Sequence, residues 1–322
     1  MLLSIVVPSY NSGKFPPACL DSILHSGVSL IDFEVIVIND GSTDDSLLVA
    51  QSYVKEYPQV SVYSQSNQGL SGARNSGLAV AKGDYVWFVD ADDEIGVDIL
   101  SAISILKENE GIDILGIVLQ EVDEEKHPIK QVCSQPSLPH NKLLTGREAV
   151  IMGYNPSSAC ALIMRIGFLQ ANDLNFKMGI THEDVEFTYR AVLKAKTAIF
   201  SDLVIYYYYR RGDTMSTPYD NARLLKYIID DVAVALSFEQ LANQNRSDVE
   251  LYLVINKKFK NTIFGLVLSL FRNRKEWGAR GINEKVLEEL KKNRLYPLGK
   301  PFYSWKKALI SQFLNKEKLL IS

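Results

Sequence analysis

Three short apolar runs each end abruptly in a polar cluster, and this repetition constrains the fold more than any other feature. Leu3–Val7 runs into Pro8-Ser9-Tyr10-Asn11, Phe33–Ile38 into Asn39-Asp40-Gly41, and Tyr85–Val89 into Asp90-Ala91-Asp92; Val60–Tyr63 is a fourth, shorter run. Apolar runs of this length that do not alternate with polar residues read as strands covered on both faces. Helical spacing fills the gaps between them. Pro16-Pro17 opens a helix with Leu20, Ile23 and Leu24 on one face, and Thr43 or Asp44 can cap a helix after Asn39–Ser42. The small, glycine-rich stretch Gln68–Ala81 carries Leu70, Ala73, Leu78 and Ala79 at near-helical spacing; a helix over about 97–107 and a strand over 112–119 follow.

Alternating strands and helices predict an α/β fold with a mostly parallel sheet flanked by helices. Ligands of such sheets bind beyond the carboxyl ends of the strands. The three polar clusters therefore predict chemistry at one edge. Residues 121–144, polar and holding Pro128, Pro136 and Pro139, read as an irregular loop. Gly179–Asp184 opens a helix to about Lys194, Ile205–Tyr209 reads as a strand, and Arg210-Arg211-Gly212-Asp213 as a turn. After Asp220 the chain reads as helical. This divides it into an α/β domain over 1–220 and a basic helical region over 221–322.

Charge is segregated along the chain. Asn256–Ser322 holds 16 lysines and arginines against 5 acids, a net of +11, while Met1–Ile255 holds 19 against 33, a net of −14. A basic tail of this kind points to an anionic partner, membrane or nucleic acid, or to neutralisation of the acidic body. Phe302, Trp305, Leu309 and Phe313, with Lys306, Lys307 and Lys316 among them, form an amphipathic basic helix. Such a helix can lie peripherally on a membrane or pack on its own domain or a second copy in a homodimer; no nucleic-acid partner is expected. Residues 1–9 lack the basic and apolar pattern of a secretory signal, and no apolar run approaches the roughly 20 residues that cross a bilayer. The odd cysteines Cys19, Cys133 and Cys160 lack metal spacing and fit a reducing, cytoplasmic location, extending to the inner face of the plasma membrane if the tail docks there.

Each candidate residue has a plain alternative. Asp90 and Asp92 can share Mg²⁺ or Mn²⁺, which favour oxygen ligands, or can simply form a turn; Asp93 and Glu94 read as first-turn acids of the next helix. Asp40 is a turn residue or an acceptor for a ring N–H of a bound base, on which Tyr10 can stack. Arg74, among small residues, can approach a phosphate or pair with a nearby acid. His182-Glu183-Asp184 can cap a helix or supply a general base, with Asp184 and His182 as rivals. Arg210 and Arg211, after the tyrosines, can close on a diphosphate or form a solvated strand end. The glycines fit neither a dinucleotide fingerprint nor a phosphate-binding P-loop.

Together IVVPSYN (5–11), VIVINDGSTDDS (35–46), NQGLSGARNSGLAVAKGDYVWFVDADD (67–93), HEDVEF (182–187) and YYYRRGDTMS (207–216) resemble glycosyltransferase family 2, inverting enzymes of the GT-A fold. The resemblance covers about residues 1–220. It implies that Pro8, Tyr10, Asn11 and Asp40 hold the nucleobase of a nucleotide-sugar, commonly uracil, and that Arg74 lies near the base and diphosphate. It further implies that Asp90 meets the ribose or metal shell, Asp92 ligates Mg²⁺ or Mn²⁺, and Asp184 deprotonates the hydroxyl of a sugar or lipid-linked acceptor. Arg211 and Ser216 would close on the donor. His182 stands where many relatives carry glycine or an apolar residue, which leaves the choice of base open. No Q-x-x-R-W-like motif is present, which favours transfer of single sugars, as in cell-surface polysaccharide synthesis, over processive synthesis. A sugar nucleotidyltransferase would share the fold class, but no G-x-G-T-R-L-like loop is found. An inactive nucleotide-binding scaffold is opposed by the intact Asp90, Asp92 and Asp184.

Overall fold

The structure is a computed structural model that describes residues 1–13, 16–28, 32–210, 220–299 and 304–321. It divides into two compact units, Met1–Gly179 with Glu183–Gly212, and Ile180–His182 with Asp213–Ser322.

The first unit opens with β1 (Leu3–Ser9), α1 (Pro16–Leu24), β2 (Phe33–Asn39), α2 (Ser46–Glu56), β3 (Val60–Ser64), α3 (Gly69–Val80) and β4 (Tyr85–Phe88). Then come β5 (Glu94–Ile95), α4 (Ile99–Glu108), β6 (Ile114–Val122), β7 (Pro128–Val132), β8 (Leu143–Leu144) and α5 (Gly146–Ile151). After a single 3₁₀ turn follow β9 (Leu162–Arg165), α6 (Ile166–Ala171), α7 (Glu183–Lys194) and β10 (Ala198–Tyr209).

All ten strands join one sheet, whose main order is β3-β2-β1-β4-β9-β6-β10-β5, with β7 on β6 and β8 on β10. Four pairings are parallel and five antiparallel, so the expected α/β sheet is mixed. Three of the antiparallel pairings are made by the short strands β5, β7 and β8, and the other two by β9, which runs antiparallel to both neighbours, β4 and β6. Crossing it restores direction, so β1, β2, β3, β4, β6 and β10 all point the same way. Their carboxyl ends share one edge, and that edge carries Tyr10, Asp40, Asp90 and the end of β10.

β1 is buried along its whole length and β4 likewise, as continuous apolar runs require. The glycines of α3 serve close packing. A Cβ on Gly77 would lie 2.2 Å from Val6 Cγ1, so only glycine lets the helix settle this near β1. The stretch 121–144 is more regular than its prolines suggest. β6 runs on to Val122 and turns back as β7, with Pro128 opening an exposed outer strand that needs no N–H from it. β10 starts seven residues before the expected Ile205, its register shifting between Phe200 and Tyr206 around the polar Ser201-Asp202. Asp93 and Glu94 do not begin a helix. Glu94 belongs to β5, which pairs with β10, and α4 starts after Asp98.

The second unit holds α8 (Asn221–Gln244), α9 (Val249–Arg272), α10 (Arg274–Ala279), α11 (Ile282–Lys292), α12 (Trp305–Leu314) and α13 (Lys318–Ile321). Asp220 and Asp248 cap α8 and α9 by accepting from Arg223 N and Leu251 N. Among the described residues no helix is long and apolar enough to cross a membrane.

Candidate active site

Arg74 is the centre of the carboxyl edge. It sits on α3 and is fully buried. Its Nη2 donates to Asp90 Oδ1 at 2.9 Å, and its Nη1 donates to Glu183 Oε1 at 3.0 Å and Asp184 Oδ1 at 2.5 Å. The guanidinium carbon lies 5.3 Å from the centre of the Phe176 ring, which stacks on Phe187 at 3.9 Å. Two further contacts tie α3 to the loop before α7. Asn75 Nδ2 donates to Phe176 O and Asn75 Oδ1 accepts from Phe176 N, while Ser71 Oγ donates to Lys177 O. These bonds bring residues more than a hundred positions apart onto one cation.

Three carboxylates on one guanidinium leave an excess of two negative charges if all are ionised. Burial, and then Asp184, push Glu183 up to about 7 against the pull of Arg74. Burial also raises Asp184, opposed by Arg74 and assisted by Asp90. For Arg74 itself burial works against the charge, but Asp184 and Asp90 outweigh it and the group stays cationic. The site therefore holds protons readily and attracts further positive charge.

Arg74 is thus engaged by acids, and pairing with nearby acids is what the geometry shows. Its buried Nε has no partner among the described residues. Asp90 and Asp184 keep about a quarter of their side chains exposed, and Asp92 is exposed.

Asp93 serves the loop that presents these acids. Its buried carboxylate accepts from the Tyr206 hydroxyl at 2.7 Å and from Tyr209 N at 2.9 Å. The Tyr206 oxygen in turn accepts from Asp90 N at 3.1 Å. Burial, then Asp92 and Asp90, hold the Asp93 carboxyl well above its usual range. Glu94 takes the Tyr209 hydroxyl at 2.7 Å and Lys126 Nζ at 2.8 Å. Asp93 and Glu94 thus lock the turn after β4 onto β10.

Asp40 is buried at the end of β2. Its Oδ1 accepts from Gln65 Nε2 at 2.7 Å and Gln68 N at 2.9 Å, and its Oδ2 has no partner among the described residues. Tyr10 is 53% exposed and follows β1, whose last residue Ser9 pairs with Asn39 just before Asp40. Pro8 is buried in β1. Asn11, at φ 49°, takes Thr43 N on Oδ1 at 2.8 Å and gives its own N–H to Ser42 Oγ at 3.1 Å, joining the two loops. His182 belongs to the helical unit. Its Nε2 lies 3.1 Å from Tyr227 O, which can only accept, so this nitrogen carries the proton. Its nearest acid is Asp231 at 3.5 Å. Arg211 and Ser216 lie outside the described residues.

The three-ligand group among the described residues is elsewhere, at Asp123, Glu125 and His127 in the β6–β7 turn. Asp123 accepts there from Glu125 N, His127 N and the His127 ring, which accounts for the clustering. Asp90 and Asp92 need no third protein ligand, because Mg²⁺ commonly takes one or two carboxylates with substrate phosphates.

The description "Glycosyl transferase family 2" matches residues 4–165. The chain belongs to this family. An uncharacterized glycosyltransferase, YibD of Escherichia coli K12, is 30% identical over 218 residues, 66% of this chain and 63% of the relative. The poly(ribitol-phosphate) beta-glucosyltransferase of Bacillus spizizenii is 31% identical over 265 residues, 80% of this chain and 40% of the relative. The chain thus spans less than two thirds of these relatives. Residues 1–349 of Staphylococcus aureus TarS, solved with UDP-GlcNAc, superpose with a TM-score of 0.61 at 23% identity, covering 92% of this chain and 93% of that one. This likeness supports the GT-A fold. Glu183 and Asp184 lie beyond the matched span, yet they meet Arg74 from within it.

Sequence reasoning missed Gln65, Gln68 and Phe176, and read Tyr206 as part of an aromatic strand beside two arginines and not as the partner of Asp93 and Asp90 N. Gln65 and Gln68 had a usable signal, since they flank the turn that follows β3 on the same edge. Tyr206 and Phe176 had none, since their roles depend on pairings across more than a hundred residues.

Proposed function

We propose that the chain is a non-processive inverting glycosyltransferase. It moves one sugar from a UDP-sugar to an acceptor hydroxyl in cell-surface polysaccharide or glycan synthesis. The observation that carries this reading is the meeting of Asp90, Glu183 and Asp184 on the buried guanidinium of Arg74. UDP-GlcNAc in the TarS structure and the poly(ribitol-phosphate) named for the Bacillus relative support the donor and the polymer class.

At the carboxyl edge Tyr10 stacks on the base, and the open Oδ2 of Asp40 accepts its ring N–H. Pro8 and Asn11 shape that turn. Asp184 is the base. It takes the proton of the acceptor hydroxyl as the acceptor oxygen bonds to the anomeric carbon, and the bond to the diphosphate breaks with its electron pair leaving on the diphosphate. Attack from the face opposite the leaving group inverts the anomeric centre. The raised proton affinity of Asp184 brings it closer to the working pH, which favours proton transfer. Burial raises that affinity, with Asp90 assisting, and Glu183 sits beside Asp184 on Arg74. His182, with Nε2 committed to Tyr227, is the weaker candidate. Arg211 and Ser216 complete the proposal as groups that close on the diphosphate.

The chemistry of the donor set fits a divalent cation. Asp92 is exposed, Asp90 commits only Oδ1 to Arg74, and the surrounding acids outnumber the cation. Asp92 and Asp90 would hold Mg²⁺ or Mn²⁺, which when bound neutralises charge developing on the leaving diphosphate. A lipid-linked acceptor would bring the chain to the inner face of the plasma membrane.

Thermal shift with Mn²⁺ and a panel of nucleotides tests the reading. A shift selective for UDP and dependent on metal is expected, and Asp92→Ala should abolish the metal dependence. No shift with any nucleotide would overturn it. Hydrolysis of a series of UDP-sugars then identifies the sugar.

A further inference from the structure

The helix α12 presents its faces in reverse of an ordinary surface helix. It buries Ser311 and Leu314, while Trp305, Leu309, Ile310 and Phe313 stand 73%, 63%, 40% and 44% exposed. These four recur at i, i+4, i+5 and i+8, which places them on one continuous side. Lys306, exposed, shares that side with its Nζ 5.8 Å from the centre of the Trp305 ring, and the exposed Lys316 follows just past the end of the helix. Phe313 meets Phe271 edge-on at 5.4 Å, and the Arg274 guanidinium sits 4.4 Å from the Phe271 ring centre. The result is an aromatic and aliphatic patch rimmed by cations. Lys307 fixes this orientation from the other side. Its Nζ donates to Asn261 Oδ1 on α9 at 2.6 Å and lies 5.4 Å from the Phe264 ring centre.

Water does not favour an arrangement that buries a serine and exposes four large apolar side chains. The arrangement becomes favourable when a surface that is apolar beneath and anionic on top covers it. Over Asn256–Ser322 basic residues outnumber acids 16 to 5, and the exposed Lys306 lies among the apolar side chains of this face, so an anionic partner complements it. A second copy paired symmetrically through this face would set Lys306 against its own counterpart. A bilayer with anionic headgroups satisfies both requirements, taking the apolar side chains below the headgroups and the lysines at their level.

We infer that α12 is a membrane-docking helix that lays the Trp305, Leu309 and Phe313 face into an anionic bilayer surface. This inference does not depend on the transfer reaction.

The test uses the full chain with vesicles of phosphatidylcholine alone or mixed with phosphatidylglycerol. Cosedimentation with the mixed vesicles only, weakened by added salt, is expected. The chain has three tryptophans, and Trp87 is fully buried while Trp277 is half-buried. A blue shift of emission on vesicle addition would therefore report Trp305 entering the bilayer. The double variant L309D/F313D should lose at least about tenfold in vesicle binding, as expected when the apolar anchors of an interfacial helix are replaced by charge. It should keep wild-type circular dichroism and the UDP thermal shift, since both residues are exposed. Equal binding to both vesicle types, no binding to either, or undiminished binding of the variant would overturn the inference. So would a dimer seen by light scattering that L309D/F313D dissolves without any lipid binding, since that assigns the face to a second copy.

Discussion

The two edges of the sheet each hold an arginine–carboxylate cluster, and they are built differently. At the amino edge Asp113 stands just before β6. It accepts from Arg165 Nη2 at 2.5 Å, Lys196 N at 2.8 Å and Thr197 N at 3.3 Å. One acid meets one cation, two backbone N–H groups complete it, and the charges balance. At the carboxyl edge one cation meets Asp90, Glu183 and Asp184, and the charges do not balance. The first cluster joins β6, β9 and the start of β10. The second leaves groups with displaced proton affinities beside exposed Asp92. A balanced cluster serves the fold, and an unbalanced one is poised for a ligand that supplies the missing positive charge or takes up a proton.

The comparison breaks most sharply on turnover. Asp184→Asn should lower sugar transfer by roughly 10²–10⁴-fold, the range for loss of a general base, while the UDP thermal shift stays. Near-normal turnover in this variant would move the base to His182. Asp113→Asn should leave turnover per folded molecule unchanged.

Removing the cations comes next. Arg74→Met strands three carboxylates, and urea unfolding should show a loss of roughly 3–5 kcal/mol, as for other broken buried ion pairs. Arg165 is about a third exposed, and its partner Asp113 also accepts from two backbone N–H groups, so Arg165→Met should cost only about 1–3 kcal/mol. Equal losses would mean that the two clusters do not differ in kind.

The pH dependence is subtler. Glu183, at about 7 in the fold against 4.5 as a free side chain, binds more protons folded than unfolded across that interval. Its contribution to stability therefore falls as pH rises from about 4.5 to about 7. Glu183→Gln should flatten that slope when unfolding is measured between pH 5 and pH 8. Transfer should rise with pH as Asp184, whose proton affinity burial raises, ionises. The smallest effect belongs to Asp113→Asn itself, a loss of about 1–3 kcal/mol by denaturation.

Much of the first unit is legible in the chain. Continuous apolar runs identify β1, β2 and β4 because strands covered on both faces admit no polar alternation. The clusters ending them mark the carboxyl edge, and the five spaced motifs identify the family. The mixed order of the sheet was not legible. Leu162–Arg165 is too short and too ordinary to announce itself as the antiparallel strand between β4 and β6. Nor do Asp93 and Glu94 look different from helix-starting acids. Their partners, Tyr206 and Tyr209, reach them only through the pairing of β5 with β10.

Local sequence determined where strands end, which residues carry charge at those ends, and that α12 would be amphipathic and basic. Those properties follow from periodicity and turn chemistry, which act over a few residues. Only the tertiary structure decided that Arg74 faces acids, that His182 commits Nε2 to the helical unit, and that the apolar side of α12 points outward. Each of these depends on which distant group fills the space beside a side chain. A buried guanidinium takes whatever carboxylates the fold brings to it, because leaving it unpaired away from water costs more than any local preference supplies.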